Sequence, residues 1–200
     1  MKKTAILIAS LLLLLNASAQ KTHFGIKGGV NASNLHYDNN TNTDTKLGFN
    51  LGVLAHLHAS KTWAIQPEIL YSLEGASYKT SLGTTHINLN YINVPVLLQY
   101  MFKNGFRLEG GPQIGFLISA KTKTPNVSIT NNDFEATSVS IPLGIGYLTS
   151  SGLGLDARYV FGLSNINEDK SGPVIQSNVF QLGLFYQFTD SKIHRQGRNR

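Results

Sequence analysis

Eight charged residues stand where an alternating apolar and polar pattern places its polar members: Lys27, Lys46, Arg107 and Arg158 against Glu68, Glu74, Glu109 and Asp156. Four cations against four carboxylates is the balance that a buried interior needs, because an unpaired buried charge is very costly. Lys27, Glu68, Arg107, Glu109, Asp156 and Arg158 are the candidates for one interior charge cluster. It would serve either as hydrogen-bonded core or as the lining of a narrow polar conduit. A second constellation, Asp38-x-Asn40-x-Asn42-x-Asp44, offers oxygen ligands at calcium-loop spacing. Thr43 replaces the Gly of the sharp turn and Phe49 the bidentate Glu, so an ordinary polar loop is expected. His36, Asp38, His86 and nearby serines are residue types for general-base and nucleophilic work, but no local motif ties them together. His56 and His58 present two imidazoles without a third ligand. This pattern assigns no catalytic residue, metal or cofactor.

Composition bounds what can position these groups. The chain has 200 residues, no cysteine and only 14% charged residues, against roughly 25% in soluble domains. Residues 1–19 read as a secretory signal: Met1-Lys2-Lys3, an apolar run from Thr4 to Leu15, and Ala17-Ser18-Ala19 as the cleavage site. An exported chain without cysteine has no disulfide, thiolate metal site or lipid-bearing cysteine. The formal net charge of +6 reflects the ends: Lys2 and Lys3 in the signal, and Lys192, Arg195, Arg198 and Arg200 in a basic polar tail, 189–200. No basic face remains for nucleic acid.

Between these ends the pattern has period 2, the mark of strands with two unlike faces. Eight strands are expected at about 22–33, 45–58, 62–75, 87–102, 105–119, 137–149, 152–163 and 177–188. Tight turns at 59–61, 103–104 and 150–151 alternate with long polar loops at 34–44, 76–86, 120–136 and 164–176. The 87–102 strand is imperfect: Ile87, Leu89 and Tyr91 share one parity and Val94, Val96, Leu98 and Tyr100 the other. A bulge near Ile92 that switches faces is expected there.

The apolar face carries aromatics near both strand ends. Trp63, Tyr100, Phe106, Tyr147, Tyr186 and Phe188 lie near the turn end, and Tyr71, Phe116, Tyr159 and Phe180 near the loop end. Trp63 to Tyr71 covers roughly 20 Å of tilted strand, close to the spacing of aromatic girdles around a bilayer's apolar band. The polar face is rich in Gly, Gln and Asn, which suits a crowded interior. The expected fold is therefore all-β: an eight-stranded antiparallel up-and-down transmembrane β-barrel over residues 20–188. Its loops would be extracellular, and its termini and tail periplasmic.

Several segments also resemble a family. They are Gly25-Ile26-Lys27-Gly28-Gly29-Val30-Asn31, Gln66-Pro67-Glu68-Ile69-Leu70-Tyr71-Ser72, Gly75-Ala76, Tyr91 to Tyr100, Glu109-Gly110-Gly111-Pro112, Arg158 to Leu163, and Phe180 to Leu184. In order and spacing they are similar to the PorT-like outer-membrane β-barrel proteins of Bacteroidota, small barrels of OmpX-type architecture. The resemblance implies a non-enzymatic envelope barrel, with secretion-system or other envelope proteins as partners. Outer-membrane lipid, lipopolysaccharide and the barrel-assembly machinery would be further partners. A small porin-like transport channel and an outer-membrane enzyme are the alternatives. One departure is that twelve residues follow the aromatic end Tyr186-x-Phe188, where such barrels usually terminate.

Overall fold

The computed structural model describes residues 22–38, 43–80, 83–125, 127–130 and 133–188. The signal segment, the basic tail, and Asn40 and Asn42 of the calcium-like spacing lie outside these residues. Ten strands follow in order: β1 (Thr22–Tyr37), β2 (Asp44–His58), β3 (Trp63–Thr80), β4 (Gly83–Met101), β5 (Phe106–Gly110), β6 (Gln113–Thr124), β7 (Val127–Thr130), β8 (Thr137–Leu148), β9 (Leu153–Gly162) and β10 (Ile175–Gln187). Each pairs antiparallel with its neighbours, and β1 pairs with β10, so the sheet closes on itself.

The ring has eight staves, because β5 and β6 are one stave interrupted at Gly111-Pro112. Pro112 has no N–H to give the ladder, yet its carbonyl still accepts from Val96 N at 2.9 Å. β7 is a short return strand on the end of β6. The register runs from Thr22 through Leu57, Ile65, Leu98, Gly110, Leu143, Tyr159 and Phe180, and comes back to β1 at Ala32. That stagger tilts the staves and narrows the lumen to a width that side chains can fill.

The expected face switch in β4 does not occur. Ile87, Leu89, Tyr91, Asn93, Leu97 and Gln99 are all buried on one parity. The irregularity lies opposite, on β6: Asn90 pairs with Ser119 and Tyr91 with Leu117, which leaves Ile118 as the extra residue. The apolar parity of upper β4 therefore points inward. The loops expected at 76–86 and 120–136 are also largely strand. β3 and β4 stay paired as far as Thr80 and Gly83, and β6 continues to Thr124 before β7 turns back on it. Two faces of similar polarity erase the hydropathy alternation without preventing pairing. Gly75 makes one such extension feasible, with φ of 129° and a position where a Cβ would lie 2.1 Å from the Ile87 carbonyl oxygen.

Candidate functional site

The lumen gathers the polar parity of every stave. At its centre Arg158 on β9 reaches across to Glu68 on β3, with Nη1 and Nη2 each donating to one carboxylate oxygen at 2.7 Å. Its Nε donates to Glu109 on β5. Lys27 Nζ meets Asp156 Oδ1 at 2.6 Å. Gln66 and Gln99 complete the carboxylates, donating to Glu68 and Glu109 at 2.7 Å. Arg107 Nη1 donates to Gln99 Oε1 at 3.3 Å, and its guanidinium carbon lies 5.4 Å from the centre of the Phe185 ring.

The register explains how long ionic side chains fit together. Gly144 stands between Glu109 and Arg158, and Gly146 between Arg107 and Asp156. Gly183 lies beside Asp156, where a Cβ would come within 2.9 Å of Lys27 Cε. Charged staves thus alternate with glycine staves. Each ion leans over a gap, and Arg158, donating from all three guanidinium nitrogens to two carboxylates, has a role that a lysine could not fill.

Above this cluster lies a second polar layer. Glu74 accepts from Ser72 Oγ at 2.9 Å, Asn93 Nδ2 at 2.8 Å and Ser177 Oγ at 3.2 Å. Lys46 Nζ donates to the main-chain oxygen of Glu74 at 2.9 Å rather than to its carboxylate. Asn31 ties Ser72 to Asn50. The cavity beside this layer holds only about 10 Å³, room for at most one water. Higher still, Leu35, Ala76, Ile87, Leu89, Tyr91, Ala120 and Ile175 form an apolar cluster, joined by Phe134 and Ile166 from the connections. An isolated bridge between Phe134 and Asn167 holds these two connections together.

At the turn end, three imidazoles meet. His23 and His56 are register partners on β1 and β2. The His58 ring centroid lies 4.6 Å from that of His56 and 5.6 Å from that of His23, both edge-on. Among the described residues no set of three His, Cys, Asp or Glu is placed to hold a metal. At the loop end, His86 Nδ1 lies 2.7 Å from Ser77 Oγ.

The outer face is apolar: Leu51, Ile69, Leu155 and Leu184 are all more than half exposed. Aromatic rings pair along its two margins. Trp63 with Tyr100 and Tyr100 with Phe102 (5.0 Å each), Phe106 with Tyr147 (5.1 Å) and Tyr186 with Phe188 (5.6 Å) mark the turn end. Tyr159 with Phe161 (4.5 Å) and Phe49 with Tyr71 (5.9 Å) mark the loop end, where Phe116 and Phe180 also stand exposed. Beyond that margin the register sets Lys79, His86, Lys121 and Lys123, all exposed, on the outward face of the projecting β3–β4–β6 sheet.

A sequence-family profile described as "Outer membrane protein beta-barrel domain" matches residues 18–168. The chain belongs to that family. Among solved structures, this outer-membrane barrel is similar to Neisserial surface protein A, with a TM-score of 0.58, 12% identity, and coverage of 84% of this chain and 100% of that one. It is also similar to Ail, the attachment invasion locus protein of Yersinia pestis, with a TM-score of 0.53, 19% identity, and coverage of 84% and 99%. At such identities the likeness is one of fold. No curated protein sequence matches it.

The barrel brings all six sequence-nominated ions into one cluster and leaves Lys46 and Glu74 a layer above them. Sequence reasoning passed over Gln66, Gln99, Asn31, Ser72 and Asn93, which complete the hydrogen bonds. Their signal was available in the parity they share with the charges. Phe185 was also passed over, because an apolar residue on the polar parity looks like noise. In the structure it supports Arg107 and packs where Gly154 leaves room, a Cβ there falling 2.1 Å from Phe185 Cζ.

Proposed function

We infer that this protein is a closed, non-enzymatic interaction barrel of the bacterial outer membrane, working at its two ends rather than through its lumen. One observation carries the reading: side chains occupy the lumen from the Lys27–Asp156 pair up to the Leu35–Leu89–Ile175 cluster. A porin-like channel needs a path for water, and here an ionic layer and an apolar layer lie in series. The aromatic margins serve as bilayer girdles, the turn end faces the periplasm, and the projecting sheet faces outward. Its basic face, Lys79, His86, Lys121 and Lys123, sits just past the Tyr71 and Phe116 rings. That is the height at which anionic lipopolysaccharide headgroups meet a barrel wall. Ail, of similar fold, has been solved with the heparin analogue sucrose octasulfate, a polyanion; a basic exterior surface on this barrel fits that kind of partner.

The test is planar-bilayer recording of refolded protein. Baseline conductance is expected, and stepwise channels would overturn the reading. Charge reversal of Lys121 and Lys123 to Glu is expected to weaken association with lipopolysaccharide vesicles while leaving heat-modifiability on gels intact. The resemblance to PorT-like barrels of Bacteroidota adds a protein-secretion partner at the turn end. Deleting the gene and comparing supernatant with periplasmic proteins tests that role: cargo retained in the periplasm supports it, and unchanged secretion retires it.

A further inference from the structure

We propose that the turn-end mouth of the lumen binds a small soluble tetrahedral oxyanion, held by Arg107 beneath a ring of three histidines. A cavity of about 280 Å³ opens there, lined by His23, His56, His58 and Arg107, with Met101 and Leu148 as its apolar wall. No carboxylate among the described residues lines it. It lies inside the closed ring of staves, shielded from lipid, so its ligand arrives from the aqueous side.

Arg107 is the group that calls for a ligand. It is 3% exposed, yet its Nε–H has no acceptor. Its neighbouring cations are paired, Arg158 with Glu68 and Glu109 and Lys27 with Asp156 Oδ1, while Asp156 Oδ2, like Arg107 Nε, is buried without a hydrogen-bond partner. Arg107 alone of the three cations has no carboxylate within ion-pair distance among the described residues. Its one side-chain hydrogen bond goes to a neutral amide, at 3.3 Å. Arg107 lines the cavity with a guanidinium whose one side-chain hydrogen bond goes to a neutral amide, the kind of planar donor set that holds sulfate or phosphate oxygens.

The histidines supply the balancing charge. Gln66 Nε2 donates to Glu68, so Gln66 Oε1 is the atom facing His56 Nδ1 at 3.1 Å, and Nδ1 must carry the proton. Nε2 is then the basic nitrogen of neutral His56. The three cations and three carboxylates of the cluster already cancel, so an added anion is neutralised by proton uptake at the imidazoles. The groups facing His56 are His23 on β1, His58 on its own strand, Gln66 on β3, Arg107 on β5 and Gln187 on β10. All are neutral or cationic, so none competes with an anion for that proton.

The experiment is a sodium sulfate titration of refolded protein in zwitterionic micelles at constant ionic strength, followed by histidine ring NMR. Sulfate keeps its charge across the range, so any pH effect belongs to the protein. Saturable shifts are expected at His23, His56 and His58 and not at His36 or His86, with binding at least fivefold tighter at pH 6 than at pH 8. Arg107→Gln should weaken binding tenfold or more. Folding of that variant is checked by heat-modifiability. If it does not fold, His23→Gln, at the half-exposed rim, should reduce the pH dependence instead. Non-saturable shifts, or the same titration in whichever folded variant is used, would mean that the cavity holds water only and would overturn the proposal.

Discussion

The two halves of the lumen are filled by opposite chemistries. Toward the turn end the filling is ionic: Arg158, Glu68, Glu109, Lys27 and Asp156, each almost wholly buried. Toward the loop end it is apolar: Leu35, Leu89, Ile87 and Tyr91, capped by Phe134 and Ile166. Both halves are closed. A barrel with an apolar exterior does not need an apolar core, only one that occupies the volume and satisfies its polar atoms. The halves should nevertheless fail in different ways. The ionic half is coupled, because each carboxylate depends on a partner across the lumen. The apolar half is additive and local.

The largest effect is expected from Arg158→Leu. It leaves two carboxylates buried without their cation, which costs about 3–5 kcal/mol for a broken buried pair, read as a lower urea midpoint in micelles. Conductance should stay at baseline, since the apolar half still closes the lumen; channel activity in this variant would show that the ionic half is the only barrier. Combining Arg158→Met with Glu68→Gln and Glu109→Gln should recover much of the loss. No recovery would mean that shape rather than charge matters there. Leu89→Ala removes a fully buried side chain from the other half and should cost roughly 2–5 kcal/mol, with no second-site charge change able to rescue it. Ser72→Ala, at the boundary, loses its bonds to Glu74 and Asn31 and should cost about 1 kcal/mol. The smallest effect is expected for Tyr91→Phe. The Tyr91 hydroxyl is buried without a partner, so its removal should leave the urea midpoint unchanged or raise it. A clear drop would reveal a hydrogen bond the apolar half depends on.

How much of this was legible in the sequence varies along each stave. Between the aromatic margins, lipid lies on one side and packed lumen on the other, so the period-2 alternation located the eight staves to within a few residues. Beyond the loop-end margin that contrast fades, and β3, β4 and β6 continue without a hydropathy signal. Upper β4 was misread for a related reason. The parity change among its apolar residues points to a face-switching bulge near Ile92, whereas the extra residue lies on β6 and the inner face there is itself apolar. Phe49 escaped nomination as a girdle residue, although it packs beside Tyr71. Its position in the strand did not show how high it stands once the staves are tilted.

Between the aromatic margins the sequence by itself determined which residues face lipid and which face the lumen, because that choice is local: it follows from strand geometry and the unlike environments on either side of one wall. It also determined that the interior charges balance. Only the tertiary structure decided which charge meets which. Arg158 and Glu68 are 90 residues apart and touch because the stagger of the ring brings opposite staves to one height. The meeting of His23 with His58, and the pairing of Arg107 with an amide instead of a carboxylate, arise in the same way. Contacts across a lumen depend on closure and stagger, which are properties of the whole sheet.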